Sequence, residues 1–210
     1  MAVLASGRGS NFQAIIDAIK AGKLHAEVKV LITDNKKAPV IERATNAGIP
    51  VKLIEQEKFK TREEMDLEIK KTLDSLHIDL VLLAGYMRLL KAKELFEEYR
   101  NKIINIHPSL LPAFPGIDAQ KQAFEYGVKI TGITIHFVDE QLDHGPIIHQ
   151  RAIDIRNCKT AEQTAKKILS YEHKAYIAII DQFTKGTYKI EDRKVVFIPY
   201  TAVINKSKIR

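Results

Sequence analysis

The chain has 210 residues, and its 33 Lys and Arg against 26 Asp and Glu give a formal net charge of +7. Hydrophobic residues make up 45% of the sequence and charged residues 28%, which is ordinary for a globular protein and excludes collagen-like, coiled-coil and disordered chains. A chain of this length buries roughly 70% of the surface that its unfolded form exposes, so we expect one domain that needs no disulfide or metal to fold.

Most of the net positive charge lies near the C-terminus. Residues 184–210 hold seven Lys and Arg and two acids, a net +5, which leaves +2 on the other 183 residues. Those residues show no basic stripe interleaved with aromatic side chains, which is the pattern of a nucleic-acid surface. We therefore expect a solvated basic tail, and small-molecule substrates rather than a nucleic-acid partner.

The sequence carries no signal for export or membrane insertion. Its only cysteine, Cys158, offers no disulfide and fits a reducing compartment. The segment before Arg8 is too short for a signal peptide, and apolar runs such as Leu80–Ala84 are far shorter than a membrane span. The expectation is a cytoplasmic protein without membrane contact.

Short apolar runs alternate with helical patterns through the first half of the chain. Strands are predicted at Met1–Ala5, Val28–Thr33, Val51–Ile54, Leu80–Ala84 and Lys102–Ile106, and helices at Asn11–Ala21, Ala38–Ala47 and Thr61–Leu76. Pro39 and Gly48 suit the first turn and the end of the second helix, and Thr61-x-x-Glu64 is a capping box. Alternating strands and helices predict a parallel sheet that is covered on both faces.

The pattern changes in the second half. Lys129–Val138 and Pro146–Ile155 are extended runs on either side of a Gly/Pro loop, and they predict strands added to the sheet in antiparallel order. A helix is predicted from Thr160 to Phe183, begun by a Thr160-x-x-Gln163 capping box, and small edge strands are predicted within Tyr188–Val203. We expect a single α/β domain over residues 1–183, with a basic extension over residues 184–210 that packs on it or trails from it.

A glycine turn at residues 6–11, SGRGSN, connects the first predicted strand to the first helix. Glycines permit a tight turn, and the free amides at a helix start attract anions, phosphate above all. Phe12 occupies the place of the third glycine of a dinucleotide fingerprint, and the Gly-Lys-Ser/Thr ending of a Walker loop is missing. The turn is therefore either a site for a single phosphate or a tight connection without a ligand.

The fifth predicted strand leads into the proline-rich segment NIHPSLLPAFPG at residues 105–116. Asn105 and His107 are two residues apart on a strand, so their side chains point the same way at its carboxyl end, where open α/β sheets bind ligands. Pro108, Pro112 and Pro115 stiffen the loop that follows. A fixed amide beside a fixed imidazole can stabilise an oxyanion and move a proton, which we favour over a purely structural histidine.

Two carboxylates stand out further along the chain. Asp143 would raise the pKa of His107 if the two lay close together, and would otherwise be a solvated turn residue. Glu172 falls within the apolar stripe of the long predicted helix, so it lies either at the edge of that stripe or facing a polar cavity. In a cavity, it could bind an amine or a hydroxyl of a ligand.

The sequence lacks the motifs of other common catalytic sites. A nucleophile elbow and an H-E-x-x-H helix are missing from the sequence. The seven histidines show no tight ligand spacing, so no metal site is predicted; His136, His144 and His149 could each be structural or metal-binding.

Five segments together resemble the folate-dependent formyltransferase family, in its branch that formylates phosphoribosylglycinamide in purine biosynthesis. They are SGRGSN at 6–11, LAGYMRLL at 83–90, NIHPSLLPAFPG at 105–116, ITGITIHFVDEQLDHGPII at 130–148 and EHKAY at 172–176. The HPSLLP segment is common to folate formyl-transfer and formyl-hydrolysis relatives, whereas the N-terminal turn narrows the choice. The resemblance implies a Rossmann-like fold, mostly parallel, with 10-formyltetrahydrofolate as co-substrate and no metal.

The resemblance also implies where each substrate binds. The phosphate of the amino substrate would bind at Gly9, Ser10 and Asn11, and its ribose or glycinamide end would meet Glu172. Arg62 would lie near the anionic tail of the folate, whose pterin would contact two loops. The residues of those loops are Met87, Arg88, Leu89, Leu90, Val138, Asp139, Glu140 and Leu142.

Asn105, His107 and Asp143 match the catalytic trio of the family. The implied reaction is direct attack of the amine on the formyl carbon through a tetrahedral intermediate, whose oxygen Asn105 and protonated His107 would stabilise. A formyltetrahydrofolate deformylase, which uses water and carries an extra N-terminal domain, and a phosphate-binding regulator without chemistry stay open as alternatives. Methionyl-tRNA formyltransferase is disfavoured, because 27 tail residues are too few for its C-terminal domain.

Overall fold

The computed structural model describes residues 1–201, in which nine strands and six α-helices follow one another. The strands are β1 Ala2–Leu4, β2 Val30–Thr33, β3 Val51–Leu53, β4 Val81–Leu83, β5 Ile103–His107, β6 Ile130–Phe137, β7 Ile147–Asp154, β8 Gly186–Glu191 and β9 Lys194–Pro199. The helices are α1 Ser10–Lys20, α2 Val40–Asn46, α3 Arg62–Ser75, α4 Lys93–Glu98, α5 Ala119–Tyr126 and α6 Ala161–Lys185, with a 3₁₀ turn at Gln56–Lys58.

Seven strands form one sheet in the order β3-β2-β1-β4-β5-β6-β7. The first five strands of the chain pair in parallel, and β6 and β7 pair antiparallel. The prediction of a mostly parallel sheet with antiparallel strands added in the second half is confirmed. The strand order reverses between β1 and β4, the position at which doubly wound sheets open a crevice for ligands.

The sheet is buried on both faces because its strands alternate between two apolar layers. Val3 of β1 and Leu82 of β4 pack in one layer with α1, α2 and α6, whereas Leu4 and Leu83 pack in the other with α3 and α4. All four side chains are almost fully buried. Near-continuous apolar strands of this kind are what a sheet covered by helices requires.

The predicted helix signals have the expected local structure. The Thr61 hydroxyl accepts the amide of Glu64, and the Glu64 carboxylate accepts the amide of Lys60, one residue before the cap. Thr160 and Gln163 repeat that arrangement at the start of α6. At the end of α2, Gly48 has φ +69°, and the amide of the next residue returns to the helix, as in a Schellman motif.

Three features differ from the sequence-based expectation. Helices α4 and α5 were not predicted, because six and eight residues are too short for a clear helical period. Helix α6 continues two residues further, to Lys185. Strands β8 and β9 form a two-stranded sheet of their own instead of extending the edge of the large sheet, and residues 202–210 lie outside the described part of the chain.

Within residues 1–201, no helix combines the length and the hydropathy needed to cross a membrane.

Tyr176 supports the sheet from α6 and gives a test of this packing. Its buried hydroxyl lies 3.0 Å from the Leu83 carbonyl oxygen and 3.1 Å from that of Ile104, so it bridges β4 and β5. Tyr176→Phe should lower the free energy of unfolding by about 1–3 kcal/mol in urea denaturation, because buried carbonyls lose a donor. Tyr171→Phe on the same helix, whose hydroxyl has no partner in residues 1–201, should change it by less than about 0.5 kcal/mol; equal effects would contradict the assignment.

Candidate active site

The glycine turn joins β1 to α1 at the crevice between β1 and β4. Gly9 has φ +69°, and a Cβ added there would lie 2.3 Å from Cγ2 of Val40, so only glycine fits. Gly9 directly precedes α1, and the first amides of a helix have no partner within the helix. The turn therefore presents Ser10 and Asn11 at a helix start that suits an anion.

Asn11 and Glu172 form a buried pair between α1 and α6. The Asn11 amide nitrogen lies 2.8 Å from a Glu172 carboxylate oxygen, and both residues are more than 90% buried. Burial raises the pKa of Glu172, and the hydrogen bond from Asn11 lowers it only in part. The Asn11 side-chain oxygen and Nε2 of His173 are buried without a partner in residues 1–201. Such unpaired polar atoms are uncommon in folded proteins and point to a polar ligand.

The loop after β4 is fastened to the end of β1. The Ser6 amide donates to the carbonyl oxygen of Gly85, and the Ser6 hydroxyl accepts the amide of Met87 at 2.9 Å. The next side chain, Arg88, donates to Asp34 at the end of β2 over 2.7 Å. These contacts bring residues 85–88 beside the glycine turn, across the crevice predicted from the strand order.

Asn105 and His107 lie on the same face of β5, as the spacing predicts. They stand opposite His136 and Thr134 in the antiparallel register with β6. The Thr134 hydroxyl donates to the Ser109 carbonyl oxygen and so holds the segment after β5 against the sheet. Asn105 is in the middle of the strand and only His107 is at its carboxyl end.

Asp143 lies next to both of these side chains. One carboxylate oxygen is 3.4 Å from the Asn105 amide nitrogen, and the other is 3.4 Å from Nδ1 of His107 and 2.7 Å from the Gly116 amide nitrogen. Burial would raise the pKa of Asp143, but the charge of His107 and the hydrogen bond from the Gly116 amide favour the carboxylate, and the pKa is below its ordinary value. The sequence-predicted trio is therefore one cluster with an ionised carboxylate.

Asp143 raises the pKa of His107, as expected, but the pKa of His107 is nevertheless below its ordinary value. Burial is the largest influence and lowers the pKa, and it outweighs the opposing effects of Asp143 and of the Phe114 carbonyl. His107 Nε2 lies 2.8 Å from that carbonyl oxygen, so both ring nitrogens face groups that only accept hydrogen bonds. The lowered pKa favours the neutral form of the ring, which can accept a proton and pass it on.

His136 is one of three histidines whose role the sequence left open between structure and metal binding. It is 2% exposed, and its Nδ1 lies 2.8 Å from the Phe137 carbonyl oxygen, which only accepts. Nε2 can then accept from the Asn105 amide nitrogen, 3.2 Å away. His136 thereby fixes the orientation of the Asn105 amide. This role follows from the position of His136 opposite Asn105, which depends on the register of β6 and cannot be read from the sequence.

The residues expected at the folate differ in how exposed their side chains are. Met87 and Leu142 are apolar and 61% and 57% exposed, on the two loops that flank the trio. Leu90 is buried in the core instead, so its side chain is not available to a ligand. Arg62 is exposed at the start of α3, one helical turn before Asp66, which accepts the amides of residues 91 and 92. The remaining expected residues, Arg88, Leu89, Val138, Asp139 and Glu140, are half-buried or exposed.

A cleft of about 660 Å³ adjoins the loop after β4. It is lined by Ser6, Asp34, Asn35, Lys36, Lys37, Glu55, Glu57, Lys58, Met87 and Arg88. The cleft lies beside the expected folate loop and does not include the trio. Among residues 1–201, no three His, Cys, Asp or Glu side chains are grouped as metal ligands.

Glu172 should make stability depend on pH. Because the pKa of Glu172 is raised in the folded state, its contribution is fully present below its unfolded pKa and is lost as the pH rises through the folded value. Glu172→Gln should therefore unfold at a higher temperature than the parent at pH 7 to 8, with the difference shrinking towards pH 4. Glu98→Gln, at an exposed carboxylate on α4, is the control; a Glu172→Gln difference that is constant with pH would refute the assignment.

The chain is similar to proteins of one named family. Residues 1–180 match the family model described as Formyl transferase. A phosphoribosylglycinamide formyltransferase of Bacillus subtilis is 47% identical over 181 residues, which are 86% of this chain and 92% of the relative. The human trifunctional purine biosynthetic protein adenosine-3 is 37% identical over 199 residues, which are 94% of this chain and 20% of that longer protein.

Solved structures give the same result at the level of the fold. Glycinamide ribonucleotide transformylase 1 from Symbiobacterium toebii superposes with a TM-score of 0.89 at 42% identity, over 94% of this chain and 92% of the other. Phosphoribosylglycinamide formyltransferase from Bacillus halodurans superposes with a TM-score of 0.83 at 46% identity, over 87% and 93% of the two chains.

Proposed function

Because the chain belongs to the formyl transferase family, we propose that it transfers a formyl group from 10-formyltetrahydrofolate to the amine of phosphoribosylglycinamide. It is an enzyme of purine biosynthesis, as its relatives are. The observation that carries the proposal is the cluster of Asn105, His107 and Asp143, in which an amide, an imidazole and an ionised carboxylate meet beside a substrate crevice. We place the reaction in the cytoplasm, where the single thiol of Cys158 stays reduced.

The amino substrate binds along the glycine turn and α6. Its phosphate accepts the amides at the start of α1, at Gly9, Ser10 and Asn11, where the helix dipole also favours an anion. Its ribose hydroxyls or glycinamide end reach Glu172, which is held in place by Asn11. The unpaired Asn11 oxygen is a further acceptor for this substrate.

The folate binds on the other side of the trio. The exposed apolar side chains of Met87 and Leu142 provide surface for its ring system, which supports the fit of this substrate. Arg62 supplies a cation at the start of α3 for the carboxylate tail. Leu90 contributes by its backbone alone, because its side chain is buried.

The trio supports direct attack of the amine on the formyl carbon. As the amine nitrogen bonds to the formyl carbon, Asn105 donates its amide to the oxygen that becomes negative, and His107 gives a proton to it or takes one from the attacking amine. The bond from the formyl carbon to the folate nitrogen then breaks, and tetrahydrofolate leaves with the proton that the amine has lost. Asp143 favours the charged form of His107 as that negative charge develops, against the effect of burial. His136 keeps the Asn105 amide turned with its nitrogen towards Asp143 and the ring.

The proposal is tested by measuring tetrahydrofolate formation from 10-formyltetrahydrofolate with and without glycinamide ribonucleotide. We expect product only when the ribonucleotide is present, since its amine is the nucleophile. Product in both mixtures would identify a deformylase, and ligand binding without product would identify a non-catalytic binding protein; either outcome would refute the transfer.

The roles of the trio predict large kinetic losses without unfolding. His107→Ala and Asp143→Asn should each lower kcat by at least about 100-fold, the usual effect of losing one group that stabilises an oxyanion or moves a proton. Circular dichroism and thermal unfolding show whether each variant is folded. Lys93→Ala, at an exposed side chain on α4, is the matched control and should keep normal turnover. A folded trio variant with near-normal kcat would remove that residue from the mechanism.

A further inference from the structure

The C-terminal hairpin β8–β9 contains none of the residues assigned to substrates or catalysis, yet it contacts the loop that carries Asp143. We propose that this hairpin positions the loop 138–146, and that Arg193 at its tip is the positioning residue that keeps Asp143 opposite His107. The kinetic consequences rest on the formyl transfer proposed above. The effect of the hairpin on the loop can be measured without substrates, so it does not depend on that function.

The stem of the hairpin packs against the residue at which the loop begins. Phe137 ends β6, and its ring centroid lies 5.8 Å from that of Tyr188 on β8 and 6.2 Å from that of Phe183 on α6. Tyr188 also lies 4.9 Å from Phe183 and 5.3 Å from Phe197 on β9, centroid to centroid. This cluster of aromatic rings connects both hairpin strands to the start of the loop.

The tip of the hairpin reaches the far end of the loop. The guanidinium of Arg193 donates to the carbonyl oxygen of His144, and its Nη1 lies 3.3 Å from Nε2 of the same residue. Because a guanidinium only donates, Nε2 accepts, and Nδ1 carries the proton that is shared with Asp139 over 2.8 Å. A chain of polar contacts thus runs from Arg193 through His144 to Asp139, on both sides of Asp143 in sequence.

Apart from the contacts of Asp143 itself with Gly116, Asn105 and His107, the loop has few other polar attachments within residues 1–201. Its two ends are held where the Phe137 amide donates to the Pro146 carbonyl oxygen and where Gly145 approaches Phe137 so closely that a Cβ would lie 1.8 Å from its carbonyl oxygen. Residues 140–142 are exposed, and Asp143 has φ +49°, an uncommon conformation for a residue other than glycine. Inside the loop, the Arg193 contacts are therefore well placed to hold that conformation.

The position of Asp143 can be measured without any substrate. The Gly116 amide donates to Asp143 and the Gln141 amide donates to Asp139, so their hydrogen exchange reports on the two carboxylates. In Arg193→Ala, NMR should find both amides exchanging about 10-fold faster, because the charge-assisted contact of Arg193 with His144 is lost. Amides of α3 should exchange at the same rate as in the parent protein. The pKa of His107 should fall further, since Asp143 raises it.

Lys194→Ala is the matched control, because it removes the same charge from the next residue, whose side chain is exposed and has no polar contact within residues 1–201. It should leave the exchange of both amides and the pKa of His107 unchanged. Arg193→Lys should have an intermediate effect, because an ammonium cannot reproduce the two contacts of the guanidinium. Unchanged exchange of the Gly116 amide in folded Arg193→Ala would overturn the proposal, as would equal changes in Lys194→Ala.

The kinetic readout separates positioning from a merely structural role. In Arg193→Ala, kcat should fall and the KM for 10-formyltetrahydrofolate should rise, by about 10- to 100-fold in kcat/KM, because the loop carries both Asp143 and the folate contacts. The KM for the ribonucleotide should stay constant. If kcat fell only in proportion to the folded fraction and both KM values stayed constant, the proposal that Arg193 positions Asp143 would be overturned. If the parent protein transfers no formyl group, the proposed function fails while the exchange data still decide this inference.

Discussion

The antiparallel pairing of β6 with β5 is the constraint on which the site depends. It places His136 opposite Asn105, and the loop that follows Phe137 folds back so that Asp143 reaches both Asn105 and His107. The register matters as much as the direction, since a shift by one residue would turn His136 to the opposite face.

Three buried carboxylates illustrate how partners decide the charge of one chemical group. Burial raises the pKa of each, because it disfavours the ionised form. Asp143 has His107 and the Gly116 amide as partners and a lowered pKa, whereas the pKa of Glu172, with one amide partner, stays raised. The pKa of Asp66 also stays raised, although two backbone amides donate to it. The carboxylate with the lowered pKa is thus the one beside the imidazole, where a charge is useful to acid–base chemistry.

Local sequence patterns predicted the elements with strong local causes. Strands β1 to β5 were predicted within two residues at each end, because a buried parallel strand is a continuous apolar run. The caps at Thr61 and Thr160 were predicted from side chains that bond to amides three residues away. Short helices such as α4 gave no such signal, and the hairpin β8–β9 did not join the sheet edge because its aromatic rings pack on Phe137 and Phe183 instead.

In the candidate site, too, the sequence predicted some features and missed those that depend on packing. Asn105 and His107 were named from residue type and strand spacing, whereas Asp143 joined them through the resemblance to the folate-dependent formyltransferase family, and the structure brings the three together. The lowered pKa of His107 was missed, since burial depends on every element packed around the ring. The exclusion of the Leu90 side chain and the role of His136 were missed for a similar reason, because each is set by contacts across the sheet.

The sequence by itself determined the alternation of strands and helices, the glycine turn and the chemistry available on β5, because these depend on residues within a few positions of one another. Only the tertiary structure decided which carboxylate has a lowered pKa, which amide is fixed and what holds the loop of Asp143. Those properties depend on burial and on contacts between residues far apart in the chain, such as Asn11 with Glu172 and Arg193 with His144. Local pattern specifies the elements, whereas desolvation and long-range contacts specify the electrostatics of the site.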